Sequence, residues 1–168
     1  MIIIINNSEK PIGQVSWTNK IKRILNTICP ESNSIIVNEK DEMNYILDKN
    51  KHDIKGVILG GSELRVRQKQ YLNKILDNIL PIIELNVPIL GICFGHQIIS
   101  ATYQSKICSF GEMVSGHKKI KLLWDPLFKG LGNEEYMYNA HYDYIESTPM
   151  FFKCIARDNN GIIYAIKH

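Results

Sequence analysis

The chain has 168 residues, a mass of 19.3 kDa and a net charge of +3. Its 45% hydrophobic and 22% charged residues are typical of a globular protein with one core, so we expect a single domain over residues 1–168. Lysines and arginines are scattered among acidic residues, which argues against nucleic acid as a partner. The four cysteines form no CxxC pair, so we predict neither a metal site nor disulfides and expect a cytoplasmic location.

The first hundred residues alternate between short β-branched runs and amphipathic stretches. The opening run of isoleucines is too short for a signal peptide or a membrane span, so it predicts a buried strand and no membrane association. Further strands are predicted at 34–37, 56–59 and 87–92. Helices are predicted at 21–28, with Ile21, Ile24, Leu25 and Ile28 on one face, at 41–49, at 72–79 with an end near Pro81, and at 95–103.

This alternation predicts an α/β fold, a doubly wound and mostly parallel sheet with helices on both faces. After residue 103 the pattern changes, and runs at 118–123, 135–138, 151–156 and 161–166 predict an antiparallel C-terminal addition. Active sites in such sheets lie at the carboxyl ends of the parallel strands. Gly60-Gly61 and Cys93 both follow predicted strands, so we expect them to face one crevice.

The stretch PILGICFGHQ, residues 88–97, has the pattern of a nucleophile elbow. Gly91 and Gly95 leave room for a sharp turn, and a helix begins directly after Cys93, where its N–H groups favour a thiolate. The N–H of Phe94 and a second donor from Gly61 are predicted to stabilise an oxyanion. A lone cysteine is more often a small core residue, and we assign Cys29, Cys108 and Cys154, which lack this setting, to structure.

PILGICFGHQ closely resembles the nucleophile motif of the class I (triad) glutamine amidotransferases, P-(I/V)-L-G-I-C-x-G-H-Q. The resemblance extends from Ile2 to His168 and is most like the glutaminase part of GMP synthases. GVILGGSE resembles their G-(I/V)-I-L-S-G-G-P, and MYNAHYDYI is similar to their W-x-S-H-x-D-x-V. The resemblance implies a flavodoxin-like sheet within one amidotransferase domain at 1–168.

By position, the resemblance implies that Cys93 attacks the side-chain amide of glutamine, forms a glutamyl thioester and releases ammonia. Phe94 and Gly61 would donate the oxyanion N–H groups, and Gln97 would help to hold the substrate. Ammonia would pass to a separate ATP-dependent synthetase acting on a xanthosine nucleotide. No cofactor is implied for this domain, because ATP and Mg²⁺ would belong to that partner.

A second segment matches the family in the C-terminal part of the chain. The backbone of Tyr138, Asn139 and Ala140 would bind the α-amino and carboxylate groups of glutamine, and His141 and Asp143 would face the synthetase. The sequence also departs from the family pattern. Ser62 replaces a proline after the two glycines, which predicts a less stiff loop, and Ala140 replaces a serine.

The general base is not identified by the motifs. In family members, the segment matching GIIYAIKH is followed by a further strand with G-V-Q-F-H-P-E, whose His and Glu complete the triad; this final strand is missing after His168. Three interpretations stay open: a truncated chain, a degenerate homologue, or a dyad supplied by another chain. None of the five histidines matches the family base: His52, His96, His117, His141 and His168.

The leading hypothesis is therefore a glutaminase domain serving a separate synthetase, of the GMP synthase kind. One alternative is a non-catalytic binding or regulatory subunit on the same fold, and another is the glutaminase of a different amidotransferase pathway. A cysteine hydrolase with His141 as its base is a weaker alternative, because the G-H-Q after the elbow argues against it. A plain nucleotide-binding sheet is weaker still, since the chain has neither GxGxxG nor a P-loop lysine.

Overall fold

The computed structural model describes residues 1–9, 16–38, 40–67 and 79–168. The chain forms two compact units, Met1–Ile98 and Ile99–His168. The prediction of one domain over residues 1–168 stays a prediction. The described elements are β1 (Ile2–Ile5), α1 (Ser16–Ile28), β2 (Ser34–Val37), α2 (Lys40–Asn50), β3 (Gly56–Leu59), β4 (Ile89–Gly91), α3 (Phe94–Thr102), β5 (Ile107–Leu122), a 3-10 turn (Pro126–Phe128), β6 (Glu134–Ile145), β7 (Lys153–Arg157) and β8 (Ile163–Lys167).

The first unit contains a four-stranded parallel sheet in the order β2-β1-β3-β4. β1 lies between two strands, and three of its four isoleucines are buried, as a continuous apolar run predicts. β2 lies on one side of β1 and β3 lies on the other, so the chain crosses the sheet in opposite directions before and after β2. Right-handed crossovers therefore place α1 and α2 on opposite faces of the sheet. This sheet and the separate antiparallel one confirm the predicted fold class.

Helix α1 buries a different face from the one predicted. Thr18 is buried and Ile21 and Leu25 are half-buried, whereas Ile24 and Ile28 are exposed. α1 contacts β2, which is the edge strand of the sheet. A helix above an edge strand extends past the sheet on one side, so part of its apolar surface is left uncovered.

The third predicted helix lies largely outside the described residues, which resume at 79. Residues 79–83 are helical, and the N–H of Glu84 donates to the carbonyl of Leu80. The helix therefore ends two residues after Pro81, close to the predicted end. Proline lacks only its own N–H, and the hydrogen bonds that follow it in a helix use donors from later residues.

The second unit contains an antiparallel sheet in the order β6-β5-β7-β8. β5 has 16 residues and β6 has 12, so both are much longer than the predicted runs at 118–123 and 135–138. Glycine, serine and lysine make the local sequence of β5 a weak strand signal. The two strands pair with each other along most of their length, and these hydrogen bonds compensate for that weak propensity.

β7 and β8 lie close to the predicted runs at 151–156 and 161–166. The core of this sheet is formed by Ile120, Leu122 and Ala156, with half-buried side chains packed around them. Among the described residues, none of the helices has the length and apolar character that a membrane crossing requires.

Candidate active site

Cys93 lies on a sharp turn between β4 and α3. β4 ends at Gly91, α3 begins at Phe94, and Cys93 has a φ of 52°, in the left-handed region. Its side chain is exposed, unlike that of a core cysteine. A non-glycine L-residue in this conformation costs about 1–2 kcal/mol, so the surrounding structure must hold it there.

The two glycines of the motif are required by close packing of backbone on backbone. An ideal Cβ on Gly91 would lie 2.7 Å from the carbonyl carbon of Gly95 and from the nitrogen of His96. An ideal Cβ on Gly95 would overlap the carbonyl group of Leu59 at the end of β3. Any larger residue at either position would therefore push α3 away from the sheet, as the G-x-C-x-G pattern predicts.

The Gly60-Gly61 loop lies beside Cys93. The N–H of Ile92 donates to the Leu59 carbonyl at 2.9 Å, and the N–H of Gly95 donates to the Gly60 carbonyl at 3.1 Å. An ideal Cβ on Gly61 would lie 3.7 Å from the Cβ of Cys93, which is ordinary van der Waals contact. The structure thus brings together the two strand ends that the sequence predicts to meet.

Phe94 and Gln97 occupy the first turns of α3, next to the cysteine. Phe94 is the first residue of α3, and its side chain is buried. The N–H groups in the first turn of a helix have no acceptor within the helix. The N–H of Gln97 donates to the Cys93 carbonyl at 3.1 Å, and the Gln97 side chain is buried. Their roles in oxyanion and substrate binding stay predictions.

Two residues that sequence reasoning missed also contact this loop. The Asn7 side-chain amide donates to the Gly60 carbonyl at 2.8 Å, and the indole of Trp17 covers the α-carbon of Gly60. Asn7 follows β1, so the rule that sites form at strand carboxyl ends was enough to find it. No local pattern distinguishes Trp17 from an ordinary helical residue.

The other predicted site residues lie on β6, in the second unit, and alternate between the two faces of the strand. Tyr138, which is 65% exposed, and Ala140 lie on the exposed face. Asn139 and Asp143 are buried on the opposite face, together with half-buried His141. Asp143 is only 3% exposed and offers little surface to a partner. The partner-facing role of His141 and Asp143 stays a prediction.

His141 is held by a bulge in the neighbouring strand. The β5–β6 register shifts between Ser109 and Val114, and the bulge brings the Phe110 ring to 5.5 Å from the imidazole; the Tyr164 ring lies 5.9 Å away on β8. The Nδ1 atom is 3.0 Å from the Asp143 carbonyl oxygen. A carbonyl can only accept, so Nδ1 carries the proton and a neutral ring leaves Nε2 as an acceptor.

His168 follows β8 and packs against two aromatic rings, those of Tyr103 and Phe152, with centroid distances of 6.0 and 5.1 Å. These contacts account for its position by packing alone. Within the ranges given above, no group of three or more His, Cys, Asp or Glu side chains is arranged to hold a metal ion.

The family of this protein follows from comparison with known protein families. Residues 15–168 match the family described as glutamine amidotransferase class-I. The chain belongs to the class I glutamine amidotransferases. The resemblance drawn from PILGICFGHQ is therefore confirmed.

Relatives of this amidotransferase include a GMP synthase (glutamine-hydrolyzing) subunit from Methanosphaera stadtmanae, which is 30% identical over 99% of this chain and 81% of its own length. The protein of the same name from Pyrococcus abyssi is 32% identical over 100% of this chain and 82% of its own length.

Solved structures share the fold of the amidotransferase. A putative GMP synthase subunit from Thermoplasma acidophilum has a TM-score of 0.79 and 24% identity, covering 99% of this chain and 77% of that one. A glutamine amidotransferase from Thermotoga maritima has a TM-score of 0.76 and 14% identity, covering 99% of this chain and 70% of that one. At these identities the likeness concerns the fold alone.

Proposed function

We propose that this amidotransferase is the glutamine-hydrolysing subunit of a GMP synthase, with Cys93 as its nucleophile. The observation that carries the proposal is the left-handed backbone of Cys93, which is exposed at the start of α3 and beside Gly61. Strain of this kind is typical of residues at reacting centres. The names of the relatives from Methanosphaera and Pyrococcus support glutamine as the substrate and, as the partner, a second subunit.

In the proposed reaction the Cys93 thiolate adds to the carbonyl carbon of the glutamine side chain. The oxygen becomes an oxyanion, which the N–H groups of Phe94 and Gly61 stabilise. The C–N bond then breaks, the nitrogen takes up a proton and ammonia leaves, which produces a γ-glutamyl thioester. Water hydrolyses the thioester to glutamate and restores the thiol, a step that needs a general base.

The remaining predicted residues complete the proposal. Gln97 helps to hold glutamine, whose α-amino and carboxylate groups bind the backbone from Tyr138 to Ala140. His141 and Asp143 face the synthetase subunit. That subunit binds ATP and Mg²⁺, so this domain carries no cofactor, and the two proteins work together in the cytoplasm.

The test uses a diazoketone analogue of glutamine, which alkylates a nucleophile in the glutamine site with loss of nitrogen. We expect a mass adduct on Cys93, and we expect an intact or C-terminally extended form of the protein to release ammonia from glutamine. Cys93→Ser should abolish the adduct and lower ammonia release by at least about a thousandfold, because serine is a much weaker nucleophile at neutral pH. Cys29 is also exposed but lacks the turn, so Cys29→Ser is the matched control and should behave like the wild type.

The two readouts separate the proposal from its alternative. Labelling needs the thiolate and the glutamine pocket, whereas turnover also needs the general base. An adduct without ammonia release would favour a non-catalytic binding subunit. Ammonia release that persists in Cys93→Ser would refute the nucleophile assignment.

A further inference from the structure

We infer that Trp17 is a positioning residue for the oxyanion loop, acting through Gly60. This inference rests on the proposed function, because the loop matters only if Gly61 donates to an oxyanion. Trp17 lies in the first turn of α1, far from Cys93 in the sequence, and its indole ring packs on the backbone of the residue that precedes Gly61.

The first argument is steric. The three heavy atoms nearest to an ideal Cβ on Gly60 are Cη2, Cζ2 and Cζ3 of Trp17, and that Cβ would overlap the six-membered ring. Gly60 does not have a left-handed φ, so its backbone conformation would accept an ordinary L-residue. The indole, and not the backbone, is therefore what requires glycine at this position.

The second argument concerns the peptide between Gly60 and Gly61. The Gly60 carbonyl accepts two hydrogen bonds, from the Asn7 side-chain amide at 2.8 Å and from the Gly95 N–H at 3.1 Å. A trans peptide is planar, so fixing this carbonyl also fixes the direction of the Gly61 N–H. Trp17 packs on the same residue and prevents the peptide from rotating away from its two donors.

The third argument comes from the loop sequence. Ser62 stands where the family resemblance has a proline, so the stiffness of a pyrrolidine ring is missing here. Side-chain interactions hold the loop instead: the Ser62 hydroxyl accepts from the Leu64 N–H at 3.0 Å, and the Glu63 carboxylate accepts from the Ser8 hydroxyl at 2.8 Å. The packing of Trp17 on Gly60 belongs to this set of restraints.

Removing the ring should therefore loosen the oxyanion donor without removing it. For Trp17→Ala we expect kcat for glutamine hydrolysis to fall about tenfold with KM within about twofold, because the N–H bond to the oxyanion strengthens only in the transition state. Trp17→Phe keeps a six-membered ring over Gly60 and should stay within about threefold of the wild type. Trp124→Phe is the control, since Trp124 is 88% exposed and should leave both constants unchanged.

A size-swap experiment tests the contact itself. Gly60→Ala places a methyl group inside the Trp17 ring and should slow labelling of Cys93 by the diazoketone at least about tenfold. In the double variant Trp17→Ala/Gly60→Ala the space is free, and labelling should be faster than in Gly60→Ala alone. A double variant as slow as Gly60→Ala would overturn the contact.

Hydrogen exchange gives a readout that does not depend on activity. In Trp17→Ala we expect faster amide exchange in residues 59–62 and unchanged exchange in β5 and β6, which also shows that the variant is folded. If Trp17→Ala has the same amide exchange, labelling rate and kcat as the wild type, the inference is overturned and the proposed function is left intact. Wild-type protein that neither labels nor releases ammonia would overturn the proposed function, and hydrogen exchange would still decide whether Trp17 restrains the loop.

Discussion

At the scale of single residues, the site is defined by backbone strain at Cys93. Its φ of 52° is held by contacts on both sides of the turn: Gly91 packs on Gly95, and Gly95 packs on Leu59. Such packing leaves α3 no other position against β3. Cys93 on this strained turn is exposed, and the stability of the surrounding sheet compensates for the cost of the strain.

The strain makes a prediction that is independent of catalysis. Cys93→Gly should be about 1 kcal/mol more stable than Cys93→Ala. Glycine adopts a left-handed φ without the Cβ penalty that alanine has, and this gain exceeds the larger conformational entropy that glycine loses on folding. Urea denaturation of both variants measures the difference.

Cys29 provides the matched control for this comparison. It is exposed, and its φ is not in the left-handed region. There the order should reverse, with Cys29→Gly about 0.5–1 kcal/mol less stable than Cys29→Ala. Equal stabilities at position 93 would mean that the turn is unstrained in solution.

At the scale of elements, the antiparallel sheet depends on one buried carboxylate. Lys153 of β7 and Lys167 of β8 are directly opposite in register, and like charges in that position repel. Asp125 is 4% exposed and its carboxylate contacts both ammonium groups, at 3.1 and 2.9 Å. It also caps the 3-10 turn by accepting from the Leu127 N–H at 3.0 Å, so it ties the β5–β6 connection to the sheet.

These contacts predict a specific pH dependence of stability. The Leu127 N–H, the Lys167 ammonium and the Lys153 ammonium lower the pKa of Asp125 from 3.8 to about 2, against an opposing effect of burial. A lowered pKa in the folded state means that the contribution to stability is complete above about pH 4 and is lost as the pH falls towards 2. The difference in urea midpoint between wild type and Asp125→Asn should therefore shrink across this range.

Glu134→Gln is the control for that pH series. The Lys119 ammonium, 2.7 Å away, lowers the pKa of Glu134, but both side chains of this pair are exposed. Exposed pairs contribute little to stability, so its urea midpoint should follow the wild type at each pH. If the wild type and Asp125→Asn have the same urea midpoint at every pH, the Asp125 contacts do not stabilise the fold.

At the scale of the whole molecule, the proposed function divides one reaction between two proteins. In the proposed reaction, this chain would release ammonia from glutamine and the synthetase subunit would use it. The division implies that added ammonia can substitute for the ammonia released from glutamine by this protein. It cannot substitute for the reaction of the synthetase subunit.

This division gives a prediction for the reconstituted pair. With Cys93→Ala, formation of GMP from the xanthosine nucleotide should stop when glutamine is the nitrogen donor and continue with ammonium chloride. Ultraviolet absorbance of the nucleotide follows the reaction, and the wild-type pair should use both donors. GMP formation from glutamine by the Cys93→Ala pair would contradict the proposed role of this chain, and a failure of the wild-type pair to make GMP from either donor would point to another ammonia acceptor.

The sequence alone determined the parallel sheet, its central isoleucine strand and the meeting of Cys93 with Gly61. These features follow from local patterns: apolar runs form buried strands, and parallel strands bring their carboxyl ends to one edge. G-x-C-x-G also predicted the packing of Gly91 and Gly95, because no side chain fits where two backbones touch.

Three features could not be predicted from the sequence: the length of β5 and β6, the face that α1 buries and the contact of Trp17 with Gly60. Each depends on partners distant in the chain: strand pairing extends β5 through a weak local sequence, and an edge strand leaves Ile24 and Ile28 uncovered. The Trp17 ring excludes a Cβ from a residue 43 positions away. Periodicity and motifs indicate which element a segment can form. Which surface of that element is buried depends on the segments that pack against it in the folded chain.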